Sequence, residues 1–361
     1  MIRRVIAAAA VTVLVILFIP ALTAHGTGVQ DELYRQADEV IWESGAGLSV
    51  KEIGQLSMGD IVQRVRSIVS ERIQAPIRLL GTLLAVVVFS SAVRAGVGAV
   101  LTDTEGMYDM VCVVMAVTVT VPQLLTLYEE TLTVMVRSGG FIKLFVPVFT
   151  VISAACGGIT TGGVYDIAVL SASELIVALS DRYLIPLLSV TAVLAVSSSM
   201  FPEGAGESLS GLLKRLTTWS ITVVMMLFTG FVTLKCTIAG KTDGFGVKTA
   251  KFVISGAVPI VGGAVSDAYS AVRGSFEIVR GAVGYGGIVA LLLIMLPPVA
   301  EILIYRCVMW IGTAAAELFS ASAVARLIRG FDSGLAIAQC ILVCYGLMFM
   351  ICSAILLRSM G

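Results

Sequence analysis

From residue 79 to the C-terminus, long apolar runs alternate with short charged or Gly/Pro-rich stretches, and the runs have the length of membrane-crossing helices. Leu79–Leu101 reads as the first strong span, with Arg94 near its end and the acidic loop Asp103–Asp109 after it. Met110–Tyr128 reads as the second, with Pro122 inside. Residues 129–143 carry Glu129, Glu130, Arg137 and Lys143 around Gly139-Gly140, a pattern that predicts an amphipathic piece lying at the interface. Phe145–Leu179 is too long for one span and is broken by Pro147, Gly157-Gly158 and Gly162-Gly163, which predicts two short helices around an unwound Gly/Thr turn.

Further spans are expected at Tyr183–Met200, around Pro186, and at Trp219–Leu234. A loop containing Glu203, Glu207 and Lys214 separates them, and a lysine-rich loop with Lys235, Lys241, Lys248 and Lys251 follows. Phe252–Val265 is short and broken by Pro259 and Gly262-Gly263. Residues 266–281 are semi-polar, with Asp267, Arg273, Glu277 and Arg280. Tyr285–Met309 runs through Pro297-Pro298, Trp310–Phe319 reads as a short helix, and Arg326 and Arg329 mark a loop. Leu335–Leu357 is the cleanest run, with no charge. The expected fold class is therefore all-α: a polytopic transmembrane helix bundle of about seven spans after a signal peptide, with Gly/Pro-broken or re-entrant helices.

Two segments precede the bundle. Residues 1–26 have the signal-peptide layout of Arg3-Arg4, an apolar run from Val5 to Ile19, Pro20, and the small-x-small triplet Ala24-His25-Gly26; an uncleaved anchor helix is the other reading. Residues 27–78 alternate acids with Arg and Lys, and Leu56, Ile61, Val65, Ile68 and Val69 recur at helical spacing. This segment is expected to be helical and extracytoplasmic, as a solvated cap on the bundle or as a docking face. Residues 79–361 form the multi-span membrane domain. Orientation carries a conflict: simple alternation from an outside N-terminal segment places the lysine-rich 235–251 loop outside, whereas the positive-inside rule wants it in the cytoplasm. One re-entrant or interfacial segment resolves this, and residues 145–180 are the candidate.

Composition agrees with the pattern. Hydrophobic residues make up 58% and charged residues 13%, against roughly 25% charged in a soluble domain, so one aqueous core cannot hide the apolar surface. Lys plus Arg equals Asp plus Glu at 24 each, and no basic patch points to nucleic acid. The single histidine, His25, lies beside the signal, so the body of the chain has no histidine for a metal site or a Ser-His-Asp triad. The seven cysteines sit mostly in apolar runs without a CxxC, and Cys340 and Cys344 share a helix face without further ligands. No phosphate loop, nucleophile elbow or HExxH occurs. No enzyme activity, catalytic residue, metal or cofactor is expected.

Ionisable residues at membrane depth are the candidates for function: Asp166, Glu174, Asp267, Glu277 and Glu301, with Glu317 behind them and Arg306 as counter-charge. Asp166 and Glu174 stand about 80° apart around a helix and can face one pathway. Glu301 follows Pro297-Pro298, whose missing donors leave carbonyls free. A polar pathway for ions or small solutes is one reading; charges snorkelling at span ends or pairing between helices is the other. The candidate helix breaks or hinges are Pro147, Gly157, Gly158, Gly162, Gly163, Pro259, Gly262, Gly263, Pro297 and Pro298. Residues 147–174 and 259–277 share an order of Pro, Gly-Gly, Asp and Glu, which is either an internal repeat of transporter type or coincidence in a chain with 36 glycines.

Three stretches carry a family resemblance: KFVISGAVPIVGGAVSDAYSAV from Lys251, GAVGYGGIVALLLIMLPPVAEILIY after it, and ACGGITTGGVYD before it. With the signal and polar segment ahead of them, the chain resembles the stage III sporulation protein AE family over roughly residues 27–357. The resemblance implies a multi-pass protein of the mother-cell membrane around the forespore of an endospore-forming bacterium. Its implied role is the permease-like component of a channel or secretion complex needed for forespore development. The implied partners are the other stage III sporulation proteins of one operon and, through them, stage II sporulation protein Q of the forespore, with the lipid bilayer around it and no nucleic acid. A stand-alone secondary transporter and a non-transporting membrane assembly scaffold remain the alternatives.

Overall fold

A computed structural model describes residues 74–97, 105–200, 205–257 and 262–359, plus scattered positions between 63 and 73. The signal segment 1–26, most of 27–78, Pro259, and the side chains of Arg94, Lys251 and Asp267 lie outside the described residues. The described chain is six α-helices: α1 Gln74–Val97, α2 Glu105–Ala155, α3 Ile159–Met200, α4 Ala205–Ala257, α5 Gly262–Leu318 and α6 Ser322–Ser359. No strand occurs among the described residues. Six helical stretches are long and apolar enough to cross a membrane, and Pro186–Met200 is a shorter apolar piece.

Several breaks expected from the sequence are absent. Residues 129–143 do not form a separate interfacial piece: they lie inside α2, whose 51 residues pass Pro122 and Pro147 without interruption. The reason is tertiary. Thr131, Met135, Ser138, Phe141, Ile142 and Phe145 follow one another at helical spacing on a buried face, so packing continues through the charged stretch. α3 likewise runs through Pro186, and α5 through Pro297-Pro298. Lys235, Lys241 and Lys248 lie within helix α4, and Arg326 and Arg329 within helix α6, not in loops. The break between α2 and α3 falls at Cys156-Gly157-Gly158, where Gly157 has a φ of 91°, a conformation open to glycine. Gly162 and Gly163 are already helical. Gly262 and Gly263 open α5.

α6 is the central helix, packed along α5, α3, α4 and α2, while α1 packs on α2 and α5. Cross-helix contacts set the registers. Tyr165 Oη and Ser353 Oγ lie 2.8 Å apart, as do Ser173 Oγ and Tyr345 Oη, so α3 runs antiparallel to α6. Further along the same pair, Arg326 donates from Nε to Ser198 O and from Nη2 to Ser199 O, each at 3.2 Å.

An aromatic ladder fills the centre. Phe141, Phe145 and Phe149 stack one turn apart on α2 with ring centroids 5.3 and 5.5 Å apart, and Phe349 of α6 meets the first two edge-on. The glycines of α5 make room for this ladder. A Cβ at Gly287 would lie 2.1 Å from Phe145 Cζ, and one at Gly284 would lie 2.8 Å from Phe149 Cζ. Small residues that let neighbours approach closely are the usual means of packing helices in lipid, where hydrophobicity drives no helix–helix association.

Candidate functional site

Along α5 and α6, charged side chains gather in two layers separated by apolar helix. On α5, no charge occurs between Arg280 and Glu301, a stretch of about 30 Å at 1.5 Å per residue, which matches the hydrocarbon thickness of a bilayer. On α6, none occurs between Asp332 and Arg358.

The first layer joins α1, α2, α5 and α6. Arg72, just ahead of α1, hydrogen-bonds Glu301 of α5 and reaches Glu130 Oε2 of α2 at 3.1 Å. Burial works to lower the Arg72 pKa, but the hydrogen bond and charge of Glu301, and then those of Glu130, outweigh it and raise the pKa above arginine's ordinary value. One turn along α5, Arg306 donates from Nε to Asp332 Oδ1 at 2.8 Å and from Nη1 to Gln339 Oε1 at 2.6 Å. Its guanidinium also lies over the Trp310 ring, 5.2 Å from the centroid.

The second layer lies at the far end of the apolar stretch. Arg273 pairs with Glu277 at 3.0 Å, one turn apart on α5. Asp243 of α4 caps the start of α3: its carboxylate accepts from Thr160 N at 3.1 Å, Thr161 N at 2.8 Å and Thr161 Oγ1 at 2.7 Å. These amides belong to the first turn of a helix, where no intrahelical partner exists and negative charge is favoured. We expect Asp243→Ala to cost about 1 kcal/mol, the usual loss for an N-cap. Thermal unfolding of the detergent-solubilised chain checks this, with Asp243→Asn retaining part of the effect.

The candidate residues are thus distributed among separate partners. Glu301 is held by Arg72, Arg306 by Asp332, Glu277 by Arg273, and Glu317 by Arg329 at 3.3 Å. Glu174 pairs with Lys143 Nζ at 2.9 Å on the outer face of α2 and α3, with side chains 67% and 54% exposed. Asp166 does not share that setting: its Oδ1 is buried and has no hydrogen-bond partner among the described residues. The two carboxylates expected to face one pathway thus sit in different settings, one oxygen of Asp166 buried and Glu174 exposed in an ion pair.

Sequence reasoning missed Asp332 and Gln339, and it placed Arg72 and Glu130 in a polar segment and an interfacial piece. The available signal was position: Asp332 stands at the last charge before the uncharged stretch of α6, as Glu301 stands at the first charge after that of α5. Among the described residues, no three His, Cys, Asp or Glu side chains cluster as metal ligands.

Helices of this length and apolarity, packed through glycine contacts and ion pairs between helices, define a multi-pass α-helical membrane protein. Within that class the chain belongs to the stage III sporulation protein AE family, which it matches over residues 47–360. It is 25% identical to stage III sporulation protein AE of Bacillus subtilis (strain 168) over 113 residues, which cover 31% of this chain and 28% of that protein. No solved structure matches the chain.

Proposed function

We propose that this protein is the permease-like, non-enzymatic membrane subunit of the sporulation channel complex, placed in the mother-cell membrane that surrounds the forespore. Its partners on this reading are the other stage III sporulation proteins of its operon and, through them, stage II sporulation protein Q. The family membership supports the sporulation setting. The observation that carries the multi-subunit reading is the exposed Lys143–Glu174 pair. It lies on the outer face of α2 and α3, on helices otherwise apolar enough to cross a membrane. Charges facing lipid at that depth are costly, and a neighbouring protein helix relieves that cost. The dispersal of Glu277, Glu301, Glu317 and Arg306 into separate ion pairs favours a subunit of an assembly over a self-contained midplane carrier.

The test is cysteine cross-linking in sporulating cells, from single cysteines at Lys143 and Glu174, with complementation of a strain lacking the native gene. Expected are cross-links to other stage III proteins and a sporulation defect in the Lys143→Glu variant. Ion-coupled uptake by the purified chain alone in liposomes, with no cross-linked partner in cells, would overturn the proposal in favour of the stand-alone transporter.

A further inference from the structure

Arg280 stands apart from every other described cation. It is 5% exposed, yet its Nε and Nη1 have no hydrogen-bond partner among the described residues. Among the described residues, its one hydrogen bond runs from Nη2 to the Leu357 carbonyl near the end of α6, at 3.1 Å. Arginine stays charged at any relevant pH, so burial cannot be relieved by losing the proton. Among the described residues no carboxylate forms an ion pair with Arg280, and a buried cation left so is among the most expensive arrangements a fold can hold.

The one carboxylate in electrostatic reach of Arg280 among the described residues, Glu277, is already engaged by Arg273. The same end of the bundle carries further cations. Lys248 follows Val247, whose side chain presses on Gly157, and Arg358 follows Leu357. The Cys156 thiol at the α2–α3 turn lies in the electrostatic neighbourhood of Arg280.

Position selects the missing anion. Arg280 is the last charge before the uncharged stretch of α5, the depth at which bilayer headgroups begin. A phosphate oxygen pair suits the guanidinium fork, because two parallel N–H groups meet two oxygens. Basic positions between helices at this depth are recognised features of anionic-lipid binding.

We propose that Arg280 is the core of a site for a phosphate anion, supplied as the headgroup of an anionic phospholipid, between the N-terminal half of α5 and the end of α6. Rotation of the long arginine side chain toward the headgroup layer presents Nε and Nη1 to the phosphate. Lys248 and Arg358 add attraction without defining the site. The bound lipid fastens α5 to α6 at the end of the bundle opposite the Arg306–Asp332 pair.

The purified full chain in neutral detergent tests this by its thermal unfolding midpoint. Added phosphatidylglycerol should raise the midpoint by about 3 °C or more, whereas phosphatidylcholine should not. Arg280→Gln should unfold no earlier than the parent chain in neutral detergent, since an uncompensated charge is gone, and should lose the phosphatidylglycerol response. Lys248→Gln should keep it. An equal response in Arg280→Gln would overturn the proposal and leave only general attraction to a basic surface. A full response to inorganic phosphate alone would overturn the lipid as the source. Should Arg280→Gln not fold, Arg280→Lys decides: a response cut by half or more supports the fork, and an undiminished one overturns it.

Discussion

Alanine at Gly330 should destabilise the bundle by about 1–3 kcal/mol or more, the range for forcing extra carbon into a packed core. The added Cβ would stand 2.3 Å from Ala195 Cβ and 2.9 Å from Ala195 Cα. The second contact is backbone, so no side-chain rotation relieves it and α3 must move off α6. That movement strains the neighbouring bonds from Arg326 to Ser198 and Ser199. Unfolding by increasing denaturing detergent, followed by circular dichroism, measures the loss. Ala195→Gly in the same chain should restore part of it, since the 2.3 Å clash disappears and the 2.9 Å one remains. The double-mutant cycle then gives a coupling energy, and a coupling near zero would show that the two helices do not meet there.

Removal of Asp332 should cost about 3–5 kcal/mol, because Arg306 is left charged in a mostly buried position. Both side chains are 15% exposed, and among the described residues Arg306 then retains the Gln339 bond and the Trp310 ring. The sign of the double replacement is the informative part. Arg306→Met with Asp332→Leu removes both charges and should be close to neutral or stabilising, as well-packed apolar replacements of buried ion pairs often are. If Asp332→Ala alone is harmless, the pair does not hold α5 to α6. If the double replacement folds well but fails to support sporulation, the pair serves the working protein beyond stability.

The glycine and ion-pair predictions bear differently on what could be read in advance. The glycine count was visible, and so was the double meaning of glycine as close-packing residue or helix breaker. Which meaning applies depends on what stands opposite. Gly284 and Gly287 face the Phe149 and Phe145 rings across helices that lie far apart in sequence. Gly157, by contrast, has the positive φ of a real turn. Proline misled in the same way. Pro147 and Pro297-Pro298 remove backbone donors, yet α2 and α5 run on, since neighbouring helices hold them on both sides of each proline. The ion pairs were half legible: Glu301 and Arg306 stood out as costly charges, but their partners Arg72 and Asp332 did not.

By itself the sequence determined that this chain is helical and dissolves in a bilayer, because apolar run length and the scarcity of charge are properties of composition and order, and lipid leaves the backbone no alternative to helix there. It also carried the family, which the chain matches over residues 47–360. Only the tertiary structure decided which charges pair, which glycines turn and which prolines are tolerated. Those outcomes depend on atoms brought together from helices up to 229 positions apart, and the geometry of such contacts is written in packing, not in local order.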